Sequence, residues 1–289
     1  MRMKYDVAKA NRLGNRKSNQ DRMAIVETDH AILLIVADGL GGYKGGELAA
    51  ETVVNCAIRH FNSAEKPIRN PGILINEMIM RAHREVLALA DKNQPELKAK
   101  STCVICLVID GFAYWGHLGD SRLYVIRNNS IYKQTVDHSR VEELFAAGKI
   151  TEKEKRTHRD KNLITRCVGS ETKRPKATIS SGLPLQTDDV ILLCSDGFWS
   201  PLSDKDIIKG VQKSNFTDAI ENLISDAEEA SYPQSDNISV VALRWLSTVE
   251  RKNPGEKTID PIKQTGKDIE QVNKELDDMI KKLKQIVGK

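Results

Sequence analysis

The sequence lacks the features of membrane proteins and of most zinc proteins. No segment of its 289 residues approaches the roughly 18 apolar residues of a membrane-spanning helix. The N-terminal segment as far as Asn15 contains no apolar run, so we expect no secretory signal and a cytoplasmic location. None of the six histidines belongs to an HExxH pattern, which argues against the commonest helical zinc site.

Cysteine content and charge exclude further classes. The five cysteines are odd in number and lie mostly in apolar runs, as is typical of buried thiols in a reducing compartment. Cys103 and Cys106 form a single CxxC, but a strand there would point them to opposite faces, and no second CxxC completes a zinc site. The net charge of +4 is modest and the basic residues are interleaved with acidic ones, so we expect no nucleic-acid partner.

Hydrophobic periodicity divides the chain into strand-like and helical segments. Strands are predicted between Leu13 and Asp38, in a meander from Ser101 to Gln134, and at Val190–Cys194 and Ile238–Trp245. Helices are predicted from Gly46 to Asn62, Gly72 to Asp91, Asp204 to Lys213 and Thr217 to Ala230. Turn signals at Asp110-Gly111 and Asn128-Asn129 divide the meander. This order predicts an α+β fold with mostly antiparallel strands.

Composition also predicts three parts along the chain. Residues 1–247 have the mixture of apolar and polar segments expected of a globular domain, and within them the charged, helical segment from Asp137 to Asn162 is interpreted as a flap over a site. Residues 248–268 resemble a linker. Residues 269–289 predict an amphipathic C-terminal helix, because apolar residues recur at steps of three and four. Such a helix could dock on its own domain, or it could bind a partner or form a short coiled coil.

Four aspartates lie at the ends of strand-like segments. Asp38 and Asp196 each end a buried apolar run and precede glycine-rich or helix-starting sequence. Asp21 and Asp236 lie beside a turn or a strand start. Carboxylate oxygens in such positions suit a hard cation such as Mg²⁺ or Mn²⁺, and two such ions can activate water near neutral pH.

Each acid also has a purely structural explanation. Asp-Gly is a common turn dipeptide, and Asp110-Gly111 is interpreted only as a hairpin turn. Asp38 and Asp196 differ because no second strand follows them directly. Asp236 alone could be a turn or cap before the last strand.

Six short motifs in order resemble the metal-dependent protein phosphatase family, the 2C type of serine/threonine phosphatases. They are GNRKSNQDR (14–22), VADGLGG (36–42), GDSR (119–122), DHS (137–139), CSDGFW (194–199) and SDNISVV (235–241). The resemblance covers about residues 5–246, and the joint spacing of the motifs makes it specific.

The resemblance implies a sandwich of two antiparallel β-sheets flanked by helices, with a binuclear Mn²⁺ or Mg²⁺ centre and a possible third ion. The implied metal ligands are Asp21, Asp38, the carbonyl of Gly39, Asp196 and Asp236, and Asp120 for the third ion. Arg16, in the GxRxxNxD pattern, would bind the substrate phosphate, for which its planar fork is suited. Asp38 and Arg16 would be the catalytic residues. The implied reaction is hydrolysis of phosphoserine or phosphothreonine by a hydroxide that bridges two ions and attacks in line.

Two departures from the animal members resemble the bacterial branch. Gln20 stands where those members have a glutamate, and Leu40 stands where they have a histidine proposed as the general acid. The leaving-group proton would then come from a metal-bound water, with His138 as a weaker alternative. Protonation of the leaving group is typically worth about 100- to 10,000-fold in rate.

Two other functions remain open from the sequence. A catalytically weak phosphatase fold could serve as a binding or regulatory module, although all four strand-end aspartates are present. A hydrolase of small phosphate esters would use the same centre. For the protein phosphatase, the expected partners are phosphorylated proteins and an opposing Ser/Thr kinase.

Overall fold

The computed structural model describes residues 2–40, 43–93, 99–171, 175–213 and 215–249. Twelve strands in this part of the chain form two antiparallel sheets. The first sheet has the order β1 (Arg2–Arg12), β12 (Ile238–Val249), β11 (Val190–Cys194), β7 (Arg122–Arg127) and β8 (Ser130–Gln134). The second has the order β10 (Leu183–Pro184), β6 (Phe112–Leu118), β5 (Cys103–Ile109), β3 (Ala31–Leu40) and β2 (Asp21–Glu27). Two short strands extend it, β4 (Lys100–Ser101) beside β3 and β9 (Thr178–Ile179) beside β6.

Seven helices surround the sheets in the described ranges. They are α1 (Tyr43–Ser63), α2 (Pro71–Asn93), α3 (Arg140–Ala146), α4 (Glu152–Thr157), α5 (Asp196–Trp199), α6 (Asp204–Gly210) and α7 (Phe216–Ser231). None of the described helices is long and apolar enough to cross a membrane.

The two sheets pack face to face, and each is covered on its outer face by helices. Strand β3 illustrates why: Leu34 and Val36 contact the other sheet, whereas Leu33 and Ile35 pack under α1 and α2. Both faces of this strand are buried, so its sequence is continuously apolar rather than alternating. Helices α6 and α7 cover the first sheet in the same way. The predicted sandwich flanked by helices is confirmed.

Local predictions agree well with the structure. Asp110 and Gly111 form the β5–β6 hairpin turn with φ of 49° and 79°, and Asn128 and Asn129 form the β7–β8 turn with φ of 48° and 59°. Cys103 and Cys106 face opposite sides of β5, and all five cysteines are buried and free. Positive φ values suit Asn, Asp and Gly, so these turns are encoded locally.

One strand was missed by the sequence prediction, and another is longer than predicted. Strand β1 was missed, because only Met3, Tyr5 and Val7 alternate there among charged residues and alanines, and its pairing with β12 is long-range. Strand β12 continues to Val249, where it pairs with Arg2, so the domain does not end at residue 247 and the first two residues assigned to the linker are in a strand. The rest of the predicted linker and the C-terminal helix lie outside the described residues.

The predicted flap segment contains two short helices, α3 and α4. Ser139 caps α3, and Thr151 and Glu154 form a capping box at the start of α4, so its ends are defined by local sequence. Backbone bonds from Arg140 and Thr165 hold the two ends of the segment together. Its proposed role as a cover for the site stays a prediction.

Candidate metal centre

The aspartates lie where the ends of the two sheets meet. Asp21 begins β2 and lies directly opposite Asp38, near the end of β3, in the β2–β3 register. Asp196 follows β11 as the first residue of α5, and Asp236 precedes the neighbouring strand β12. Asp120 lies in the connection by which the chain leaves β6 in one sheet and enters β7 in the other.

Electrostatics shows that these five acids form one group. Burial raises the pKa of Asp38 well above its ordinary value, and the charges of Asp21, Asp196, Asp120 and Asp236 raise it further. The structure therefore brings together all the acids that the sequence singled out.

The other members of the group are shifted for the same reasons. Burial raises the pKa of Asp21 to about 7, despite a hydrogen bond from Ser195 that lowers it. Burial and the charge of Asp236 raise the pKa of Asp196 to about 6. Burial and the charge of Asp196 raise the pKa of Asp120 well above its usual range. Carboxylates crowded in this way repel one another unless protons or cations neutralise them.

The donor set fits Mn²⁺ or Mg²⁺. The carboxylate atoms Asp21 Oδ1 and Asp120 Oδ1 are buried and have no hydrogen-bond partner in the part of the chain that the structure describes. All the convergent groups are oxygen donors, which hard cations prefer. In the described ranges, however, no three acidic, histidine or cysteine side chains form a ready-made group for an ion, so the convergence is electrostatic rather than a finished ligand shell.

Arg16 lies beside the acids on a loop between β1 and β2. Its Nη2 donates to Asp236 Oδ2 at 2.6 Å, and its side chain is 57% exposed. The loop is fixed by Asn237, whose Nδ2 donates to the carbonyls of Leu13 and Ser18 at 2.8 and 3.1 Å. Asn237 Oδ1 also accepts from the backbone N of Gln20 at 2.8 Å. The guanidinium is thus held at the open side of the acidic group.

Sequence reasoning missed a chain of buried and partly buried polar residues behind Asp21. Ser195 Oγ donates to Asp21 Oδ2 at 2.7 Å and accepts from the backbone N of Ser239 at 3.0 Å. Asn11 Nδ2 donates to Ser239 Oγ at 2.8 Å, and Asn19 Oδ1 accepts from the backbone N of Asp21 at 2.9 Å. The only signal in the sequence is that serine and asparagine stand beside the strand-end acids.

Gly39 makes a close backbone contact with Gly46 at the start of α1. A Cβ at Gly39 would lie 2.2 Å from the carbonyl oxygen of Gly46, so any larger residue would push the helix away. The contact explains why positions 39 and 46 are both glycine, because α1 begins directly against the end of β3.

His138 has no proton free for a leaving group. Its Nδ1 accepts from the backbone N of Gly119 at 3.2 Å, so the Nε2 proton is donated to Thr178 Oγ1 at 2.9 Å. Burial and the neighbouring His117, whose ring stacks on it at 4.5 Å, lower the pKa of His138 to about 3. The ring is neutral near pH 7, and both its nitrogens are engaged.

Comparison with known proteins identifies the family. The family model described as Protein phosphatase 2C matches residues 10–235. This range includes Arg16 and all the convergent aspartates except Asp236. This chain belongs to the protein phosphatase 2C family. The fold and the order of the motifs in this phosphatase 2C chain agree with that assignment.

Several bacterial serine/threonine phosphatases are similar to this chain. The serine/threonine phosphatase stp of Listeria welshimeri is 29% identical over 232 residues, which are 78% of this chain and 90% of that protein. The S. agalactiae serine/threonine phosphatase has a similar structure, with a TM-score of 0.78 and 25% identity over 84% of this chain and all of that chain. The catalytic domain of the phosphatase PstP, in complex with two manganese ions, has a TM-score of 0.71 and 27% identity over 84% of this chain and 99% of that chain.

Proposed function

We infer that this chain is a metal-dependent protein serine/threonine phosphatase that uses Mn²⁺ or Mg²⁺. The observation that carries this conclusion is the convergence of five aspartates on one electrostatically coupled group at the meeting edge of the two sheets, within the phosphatase 2C fold. The presence of all four strand-end acids favours an active enzyme over a silent binding module.

We propose that Asp21, Asp38, Asp196, Asp236 and the carbonyl of Gly39 hold two ions. The charges of all four other acids raise the pKa of Asp38, after burial, and this supports a role for Asp38 with both ions. Bound Mn²⁺ or Mg²⁺ would lower the pKa of a water so that it can lose a proton and become a nucleophile, and would supply positive charge to the phosphate oxygens.

Asp120 is proposed as a ligand of a third, looser ion. Its buried Oδ1 has no hydrogen-bond partner among the described residues, which supports this role.

Arg16 is proposed to bind and orient the phosphate. Its guanidinium already pairs with one acid of the group, and its exposed side chain can offer two parallel N–H donors to phosphate oxygens. Bidentate binding would align the phosphorus for in-line attack from the far side of the leaving oxygen. Because His138 has no proton to give, the leaving oxygen is proposed to take its proton from water at the site.

The proposed substrates are phosphoserine and phosphothreonine in proteins, in opposition to a Ser/Thr kinase. The names of the bacterial relatives support the substrate class. A cytoplasmic location is also proposed, and it is supported by five buried cysteines that are all free.

The test is hydrolysis of p-nitrophenyl phosphate and of a phosphothreonine peptide, with EDTA and with added Mn²⁺. Activity is expected only with metal. Asp38→Asn and Asp196→Asn are expected to abolish it, whereas Asp226→Asn, an exposed acid on α7, serves as the matched control. Turnover in EDTA would overturn the proposal, and activity on nucleotides alone would indicate a hydrolase of small phosphate esters.

The C-terminal residues are proposed to form a linker and an amphipathic helix that docks on this domain or on a partner. The apolar residues spaced by threes and fours from Ile269 to Ile286 support the helix. Because β12 extends to Val249, a truncation should end after that residue. Unchanged mass in solution, activity and partner binding after truncation would count against a docking role.

A further inference from the structure

The indole of Trp199 joins two parts of the acidic group. Trp199 is the last residue of α5, the four-residue helix that begins with Asp196. Its Nε1 donates to the backbone carbonyl of Asp120 at 2.9 Å. Helix α5 therefore begins with one proposed metal ligand, Asp196, and its last residue hydrogen-bonds to the backbone of a second proposed ligand, Asp120.

The indole itself is held in place by a charged neighbour. The Arg122 guanidinium lies over the Trp199 ring, with its carbon 3.4 Å from the ring centroid. Arg122 Nε and Nη2 donate to Asp137 Oδ1 and Oδ2 at 2.9 and 2.8 Å, and both side chains are largely buried. A bidentate pair fixes the plane of the guanidinium, which in turn fixes the ring stacked against it.

The connection that contains Asp120 is clamped on both sides. Gly119, with φ of 105°, donates from its N to His138 Nδ1 and accepts from the His138 backbone N at 2.9 Å. The Trp199 bond fixes the peptide that follows. Asp120 is only 7% exposed, and its Oδ1 is buried without a hydrogen-bond partner among the described residues. No hydrogen bond from the described residues to Oδ1 fixes this carboxylate, so its place depends on where the Asp120 backbone is held.

We propose that Trp199 is a positioning residue that holds the Asp120 carboxylate in register with Asp196, and so sets the affinity of the ion that Asp120 binds. This inference rests on the proposed function of Asp120 as a metal ligand. Trp199 does not contact the substrate in this proposal. It acts through the backbone of Asp120 alone.

The test is Trp199→Phe, which keeps an aromatic ring beneath Arg122 but removes the N–H donor. Binding of Mn²⁺ is measured by electron paramagnetic resonance of the free ion in titrations of the full chain. Loss of one hydrogen bond is expected to weaken the weakest Mn²⁺ site by about three- to tenfold and to leave the tighter sites unchanged. Trp115→Phe on β6 is the matched control and is expected to bind as the wild type does.

A double variant separates positioning from general damage. If Trp199 acts through Asp120, Asp120→Asn with Trp199→Phe should bind Mn²⁺ like Asp120→Asn alone. Additive losses, or wild-type binding by Trp199→Phe, would overturn the inference. An inactive wild type would instead count against the proposed function, and the binding titrations would still be decisive for Trp199.

A second measurement does not depend on the stability of Trp199→Phe. The indole ¹⁵N–H signals of the three tryptophans can be assigned with Trp115→Phe and Trp245→Phe. The Trp199 signal is expected to shift at the Mg²⁺ concentrations that fill the weakest site, and not to shift over that range in Asp120→Asn. A Trp199 signal that does not respond in the wild type would contradict the proposal.

Discussion

At the scale of single residues, the site depends on small polar side chains that hold the acids. The Ser195 hydroxyl is completely buried and reaches Asp21, a carboxylate whose second oxygen has no partner among the described residues. Groups that orient a ligand in this way tune metal affinity although they do not touch the ion.

Ser195→Ala is therefore expected to weaken Mn²⁺ binding about tenfold, because Asp21 loses the donor that orients it. Calorimetric titration of Mn²⁺ measures this change. The control is Ser200→Ala: Ser195 and Ser200 flank the two ends of α5, and the exposed Ser200 variant should bind Mn²⁺ normally. Equal affinities for both variants would mean that Ser195 does not orient Asp21.

Arg16→Lys keeps the positive charge and removes the planar fork. We expect kcat/KM for a phosphothreonine peptide to fall about 10- to 100-fold, because one charge-assisted hydrogen bond to the phosphate is lost. Arg59→Lys, an exposed residue paired with Glu85 on α2, provides the comparison. An unchanged kcat/KM would remove Arg16 from phosphate binding.

At the scale of elements, the β1–β2 loop is held by the two residues that directly precede β12, Asp236 and Asn237. Asn237 is 6% exposed and makes three hydrogen bonds to the backbone of this loop. Gly14 also approaches closely, since a Cβ there would lie 2.1 Å from the carbonyl oxygen of Asp236. The β1–β2 loop, which contains Arg16, is therefore packed and hydrogen-bonded against the residues that lead into β12.

Asn237→Ala is expected to lower the free energy of unfolding by about 3 kcal/mol, because three partly buried hydrogen bonds to the loop backbone are lost. Urea unfolding monitored by circular dichroism measures the change. Asn222→Ala, which removes one hydrogen bond to the Asp218 carbonyl on the surface of α7, should cost far less. A loss below about 1 kcal/mol for Asn237→Ala would contradict the role given to this side chain.

At the scale of the whole molecule, the acidic group opposes folding unless it is neutralised. Asp21 and Asp196 have pKa values of about 7 and 6 in the folded chain, both raised above the ordinary value of 3.8, chiefly by burial. Between pH 4 and 7 the folded state therefore binds more protons than the unfolded state. Its stability must fall as the pH rises through this window.

In EDTA, we expect the free energy of unfolding to decrease by about 4 kcal/mol from pH 5 to pH 8, because Asp21 and Asp196 lose their protons in the folded state over this range. Urea titrations across this range measure it. Asp21→Asn should make the decrease smaller, since an amide does not ionise, and Asp196 should account for the decrease that remains. A wild-type stability that rises over the same range would refute the electrostatic description of the site.

The elements were largely predictable because their signals are local. The helices α1 and α2 were expected within a few residues of their observed ends, and the turns at Asp110 and Asn128 were recognised from dipeptides that adopt positive φ. Strand β1 was not predicted, because the alternation of its apolar residues is weak and its strand conformation depends on pairing with β12. Pairing between the two ends of the domain is decided by the packed sheets rather than by nearby residues.

By itself, the sequence determined which acids stand at the ends of strands and that hard oxygen ligands would dominate the site. Only the tertiary structure decided that Asp21, Asp38, Asp120, Asp196 and Asp236 share one electrostatic environment, and that Ser195, Asn237 and Trp199 hold its parts. The reason is physical: strand ends and turns follow from short-range backbone preferences, whereas hydrogen bonds between distant segments and raised pKa values arise only when two sheets bury those segments together.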